Sequence, residues 1–437
     1  MTTGFISHRT LWALFCGVLI LGSQSCSAPR LKEPGGTAED ARMAFTNPDE
    51  YAWRLFFFLN HPAKEGIAGK PDETKKFGQL DEQAAVVWET WALASGKDKS
   101  EVFRPDGAHP VSWDGLDRTK NLFILDENIE RQVFEMDLQE SQILDKTLKR
   151  QKNQLRRRRS RSKALMIFPP NASDDRQEVR MNRSTFDFIS SHEMYNADGL
   201  EHLLAQARRT GNRSLITLPS CSKEVKAEWW PIDESQKTRY LWRQDENKQL
   251  WGLVSLHIIT KDLPNWFWAD FGHIDCESAP SAKTEGEKDM LATCGNQPAE
   301  TKPVDRTTRG PNGTAGPSGL NGIRKETEGT IWANYILRGT ETNFTSATGR
   351  ANILSNPVLE RFNQQSSCIT CHALAAIGLP SGNNLPKDNR LRTLNQQPGT
   401  PDPVQFGDVP GCEAPSCIKY LQTDFMWAPI MLAQRQK

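Results

Sequence analysis

Five consecutive residues, Cys368, Ile369, Thr370, Cys371 and His372, place two thiols three positions apart with an imidazole directly after the second. In one chemistry each of the three has a separate task. Thiols at this spacing add across the two vinyl groups of a single porphyrin, and the adjoining histidine is held beneath the ring as an iron ligand. With 9 Cys and 8 His in 437 residues, about 0.003 such matches are expected by chance over the chain. The competing chemistry is a four-thiolate zinc site completed by Cys412 and Cys417, with His372 incidental. Against it, the 40 residues between Cys371 and Cys412 exceed the ~15–20 of a zinc ribbon. The motif is read as one covalent haem c on Cys368, Cys371 and His372.

The start of the chain bears on the same choice. His8 and Arg9 precede an apolar run over residues 11–21, too short against the ~20 residues of a spanning helix, so residues 1–25 read as an export signal. Gly22, Ser23, Gln24 and Ser25 lead to Cys26, which resembles the processing site of bacterial lipoproteins and implies membrane attachment through lipid on Cys26. Ser23 stands where that site usually has Leu, so plain cleavage at Ser25 is the alternative. The expected location is the periplasm or outer surface of a bacterial envelope, an oxidising compartment in which thiolate zinc sites are less common. Five further cysteines remain there: Cys276 and Cys294 to staple an insertion, Cys412 and Cys417 as a local disulfide, and Cys221 as a free thiol or a partner for an unlipidated Cys26.

Lys+Arg and Asp+Glu each number 54, so no general attraction to nucleic acid is expected. The ten cations between Lys146 and Lys163 are read as a solvated linker over 141–163 rather than a docking patch. The hydrophobic fraction of 37% and mean hydropathy of −0.61 require long polar segments beside the folded parts.

The elements that must position the motif divide as follows. Residues 26–140 are expected to be mainly helical: Asn47, Pro48, Asp49 and Glu50 are start signals before the apolar cluster Tyr51, Trp53 and Leu55 to Leu59, and a second cluster spans Val86 to Leu93. Residues 164–345 are expected to be β-rich, since Val225, Ala227 and Trp229 alternate with Lys226 and Glu228, and residues 253–260 are apolar and β-branched around Ser255 and His257. Within them, 277–325 is a Gly, Pro, Ser and Thr-rich insertion. A strand is expected over 330–338 and a helix over 357–363. The class is α+β, with residues 346–437 carrying the haem site. His61, His109, His192, His202, His257 and His273 show no metal-binding spacing.

Residues 365–372, the helix-favouring Ala373, Leu374, Ala375 and Ala376, a long loop and a terminal segment containing Met426 together resemble the c-type cytochrome family over roughly the last ninety residues. The resemblance implies a small, mostly helical haem domain that shuttles one electron. Residues 225–230, 256–261 and 264–268 also look like segments of large exported bacterial proteins of that broad group, which assigns no activity. Met426, among aromatic neighbours and before Pro429, is expected as the sixth iron ligand; Met431, His257 or an open position are the alternatives. The expected role is an exported, lipid-anchored monohaem electron carrier serving a redox partner protein in the envelope. The alternative is a haem peroxidase or oxygenase with an open iron position facing the β-rich region; no catalytic acid or base is identifiable.

Overall fold

The computed structural model describes residues 31–127 (apart from 82, 83, 97, 120 and 121), 176–277, 323–354, 356, 367–378, 399–401 and 418–437. The export signal, Cys26, the basic linker, the bulk of the 277–325 insertion, the expected helix over 357–363, and Cys294, Cys412 and Cys417 lie outside the described residues.

The chain is α+β, built on one antiparallel sheet. Its strands are β1 (Ala92–Leu93), β2 (Asp126–Glu127), β3 (Arg176–Met181), β4 (Lys223–Pro231), β5 (Trp242–Gln244), β6 (Leu250–Thr260), β7 (Phe267–His273) and β8 (Tyr335–Glu341). The order is β1-β3-β4-β6-β7-β8, with β2 on β3 and β5 on β6. Strands β4, β6 and β7 are buried on both faces, not one.

One face is apolar and meets α2 (Pro48–Leu59), which follows α1 (Ala38–Thr46). Pro48 opens α2 with Asp49 and Glu50 in its first turn, where Pro and acids suit the free N–H groups and positive end of the dipole. Its Tyr51, Trp53 and Phe56 pack edge-on or tilted against Phe267 and Phe271 of β7, at centroid distances of 5.0, 5.1 and 4.4 Å. Full burial of each such ring contributes roughly 1.5–3 kcal/mol.

The opposite face carries a buried polar band. Lys226, His257 and Asp270 stand in register across β4, β6 and β7. The Arg338 guanidinium meets Asp270 at 2.9 Å, and the Asn356 amide donates to Asp270 and Ser255 at 2.6 and 2.5 Å. The polar half of the alternation is therefore inside, held by mutual hydrogen bonds as buried polar groups require.

The structure departs from the sequence reading in three places. Among the described residues of the first region α-helix stops at Leu59, and the Val86 to Leu93 cluster forms a 3-10 turn and the short β1. Pro62, Pro71 and the positive-φ Gly66, Gly69 and Gly78 prevent helix from continuing. Two helices, α3 (Arg183–Ser191) and α4 (Ala197–Thr210), interrupt the β-rich region. Asn182 and Asn196 cap their starts through side-chain oxygens, and Gly211 ends α4 at φ +73°. Finally, helix among the described residues of 346–437 is limited to α5 (Cys368–Ala373) and α6 (Ala428–Leu432), beside a ribbon of β9 (Ala376–Gly378) and β10 (Tyr420–Gln422). Cys368, Ile369, Ile377, Leu421 and Met426 join the core cluster that contains the sheet's apolar residues; this segment shares the main core.

Candidate functional site

The motif forms α5, and its start is tied to the sheet. Ser367 caps it, its hydroxyl accepting from the Thr370 N–H. Glu341, the last residue of β8, accepts from the Ile369 N–H at 3.0 Å and the Ser367 hydroxyl at 3.2 Å. A carboxylate on the free N–H groups of a helix start satisfies both the hydrogen-bonding demand and the helix dipole. The Leu354 carbonyl accepts from both the Cys368 N–H and the Cys368 thiol, and Thr370 exchanges two hydrogen bonds with the Gly399 backbone. Cys368 and Cys371, three residues apart on one helix, share a face. Cys368 is buried and Cys371 partly exposed.

His372 is oriented by the far end of the chain. Its Nδ1 donates to the Phe425 carbonyl at 2.8 Å, which fixes the tautomer and makes Nε2 the acceptor nitrogen of the ring. The Trp268 ring stands 4.6 Å from the imidazole, centroid to centroid, at 55°. Trp268 is itself held by its indole N–H on the Asn265 carbonyl. The Trp427 indole donates to the Cys371 carbonyl at 3.2 Å, and the Gln422 amide to that of Ala373 at 3.0 Å. The carbonyl end of α5 is thus covered by the segment that orients its histidine.

That segment is a strained turn. Asp424 and Phe425 have φ of +51° and +70°, a region that is unfavourable for a bulky residue by roughly 1–2 kcal/mol. Asp424 supplies the anchorage. One carboxylate oxygen accepts from Lys261 Nζ at 2.5 Å and the Trp266 indole at 3.3 Å, and the other from the Leu218 N–H at 2.8 Å.

The remaining sequence candidates are placed as follows. Met426 is fully buried; its N–H donates to the Thr423 carbonyl and its own carbonyl accepts from the Thr423 hydroxyl. Met431 is partly buried against Leu374, Ala375, Trp427 and Ile430. His257 lies in the polar band, its Nδ1 3.7 Å from Asp270. Cys221 is an exposed free thiol. His273 is buried and stacked on Tyr240 at 3.7 Å. Sequence reasoning missed Glu341, Trp268 and Phe425, which reach the motif from 26 or more residues away in the chain, and Asp424, which anchors the turn that carries Phe425.

The described residues suit a thioether-linked haem in their donor chemistry: two cysteines on one face of a helix beginning at the sheet, followed by an imidazole bonded through Nδ1 to a carbonyl. Among the described residues no three or more His, Cys, Asp or Glu side chains cluster as a metal site, and none of their helices is long and apolar enough to cross a membrane. Comparison with family models, curated proteins and solved structures finds no match to this chain.

Proposed function

We propose that the chain is an exported monohaem c-type cytochrome carrying electrons to or from a redox partner protein in a bacterial envelope, with haem c on Cys368 and Cys371 and His372 as axial ligand. Bound there, the haem supplies a one-electron couple at its iron. The observation that carries the reading is the His372 Nδ1 to Phe425 carbonyl hydrogen bond on the helix that bears Cys368 and Cys371. Metal-ligating histidines almost always donate their second nitrogen in this way; His273 bonds a carbonyl likewise, and it is the position of His372 directly after Cys368 and Cys371 that gives the bond this meaning.

The surrounding residues have definite parts in this reading. Glu341 and Leu354 hold the first turn of α5, and with it Cys368, against the sheet. The Phe425 carbonyl raises the basicity of the imidazole, which favours the ferric state. Trp268 closes one side of the His372 ring and keeps water from it. Lipid on Cys26 tethers the protein to the membrane, and nucleic acid is no partner.

Haem staining after denaturing electrophoresis, on protein made in a host that matures c-type cytochromes, tests the attachment. A stained band that disappears in Cys368→Ser, Cys371→Ser protein supports it. Unstained protein carrying one zinc per chain rejects it.

A further inference from the structure

The terminal segment meets His372 at Nδ1 through the Phe425 carbonyl, and Met426 lies within it. The two nitrogens of an imidazole point to opposite sides of the ring, so the carbonyl bonded at Nδ1 marks the side away from anything bound at Nε2. Here that carbonyl belongs to Phe425, the residue immediately before Met426.

The anchorage decides what Met426 can do. A methionine that served as a second ligand would have to carry its sulfur past the imidazole, to the side away from the Phe425 carbonyl bonded at Nδ1. Met426 has no freedom to swing the turn: its backbone is bonded to Thr423 at both ends, Thr423 is bonded to the Ala375 carbonyl, and Asp424 is fixed by Lys261, Trp266 and Leu218. Moving Met426 across the ring means breaking the His372 hydrogen bond and this whole anchorage.

On the reading that haem is bound at Cys368, Cys371 and His372, we propose that the turn over residues 423–427 is a clamp on the histidine side of the haem, that Asp424 is its positioning residue, and that Met426 is a core residue and not the sixth iron ligand. The strain at Asp424 and Phe425 then has a purpose. It aims one carbonyl at Nδ1, and the three hydrogen bonds to Asp424 hold it there.

The test uses the mature, full-length protein, and starts with the haem stain on every variant. Absence of stain from the wild type rejects the underlying haem reading, whatever the rest shows. With haem attached, Met426→Leu, which keeps volume and apolarity, should leave the ferric spectrum unchanged and the rate of cyanide binding within about twofold of wild type. A sulfur-to-iron charge-transfer band present in the wild type and lost in Met426→Leu, with cyanide binding tenfold or more faster, overturns the proposal. Asp424→Asn, which loses its ion pair with Lys261, should raise the reduction potential, because an imidazole less firmly bonded to a carbonyl is a weaker donor to ferric iron. A potential unchanged in Asp424→Asn overturns the positioning role. Should Asp424→Asn fail to accumulate with haem, Lys261→Met tests the same anchorage by the same readout.

Discussion

Lys261 and Asp424 meet at 2.5 Å, both side chains about nine-tenths buried, 163 residues apart in sequence. The pair joins the β6–β7 connection to the turn that orients His372. Burying two charges is unfavourable unless each is well bonded. Asp424 meets that condition through Trp266 and Leu218, and Lys261 through the Pro264 carbonyl and the face of Trp266. Removing one partner leaves the other charged and buried.

Asp424→Ala should therefore destabilise the fold by about 3–5 kcal/mol, the cost of an orphaned buried charge. Chemical denaturation checks this, with the exposed pair partner Asp114→Ala, bonded to Arg183 at the surface, expected to cost under about 1 kcal/mol.

Glu341→Gln keeps the shape of the acceptor at the start of α5 but removes its charge. A loss of about 1–2 kcal/mol in stability is expected, since charge-assisted bonds to helix N–H groups are the stronger kind. Glu341→Ala should lose more. Equal stability of the wild type and both variants would show that Glu341 does not support the motif.

Trp268→Ala removes the ring beside His372 and leaves a cavity in the core, with a cost of about 3–5 kcal/mol. Trp268→Phe should recover most of the stability. Unfolding curves of the two variants, with haem retained in Trp268→Phe, check the packing role.

Burial lowers the His273 pKa to about 4 from the ordinary 6.5, with the nearby Asp275 opposing the shift. Its Nε2 donates to the Arg239 carbonyl and its Nδ1 accepts from the Asp275 N–H, so the neutral ring is fully used. Between about pH 6.5 and 4 the unfolded chain binds the extra proton, and stability falls as pH falls through that window. Glu178, raised by burial to about 6 despite Arg180, acts in the opposite sense between about pH 4.5 and 6, where the folded state holds the proton. His273→Gln should reduce the rise of stability with pH between about pH 6 and 6.5, at the upper end of the histidine window and above most of the Glu178 window. An unaltered slope there would contradict the assignment.

The motif and the central strands were legible because their signals are local. Cys368, Cys371 and His372 are defined by spacing, and β4 and β6 by alternation and β-branched runs. The same alternation misled about burial: Ser255 and His257 look solvent-facing in sequence, yet both are buried beside Asn356 and Asp270. Helices α3 and α4 carry readable caps at Asn182, Asn196 and Gly211, and Leu200, Leu204 and Ala207 have helical spacing; the β pattern on either side obscured them. Asp424, Phe425 and Glu341 had no local signal. Their roles arise from contacts made only when distant strands and the terminal turn come together.

The most direct test of the central claim is the intact mass of the mature protein after acid–acetone extraction, which strips non-covalent haem. With the lipid on Cys26 counted in both, the account predicts a mass greater by one haem than that of Cys368→Ser, Cys371→Ser protein prepared in the same way. A wild-type mass without that haem increment, from a host shown to mature other c-type cytochromes, would contradict it.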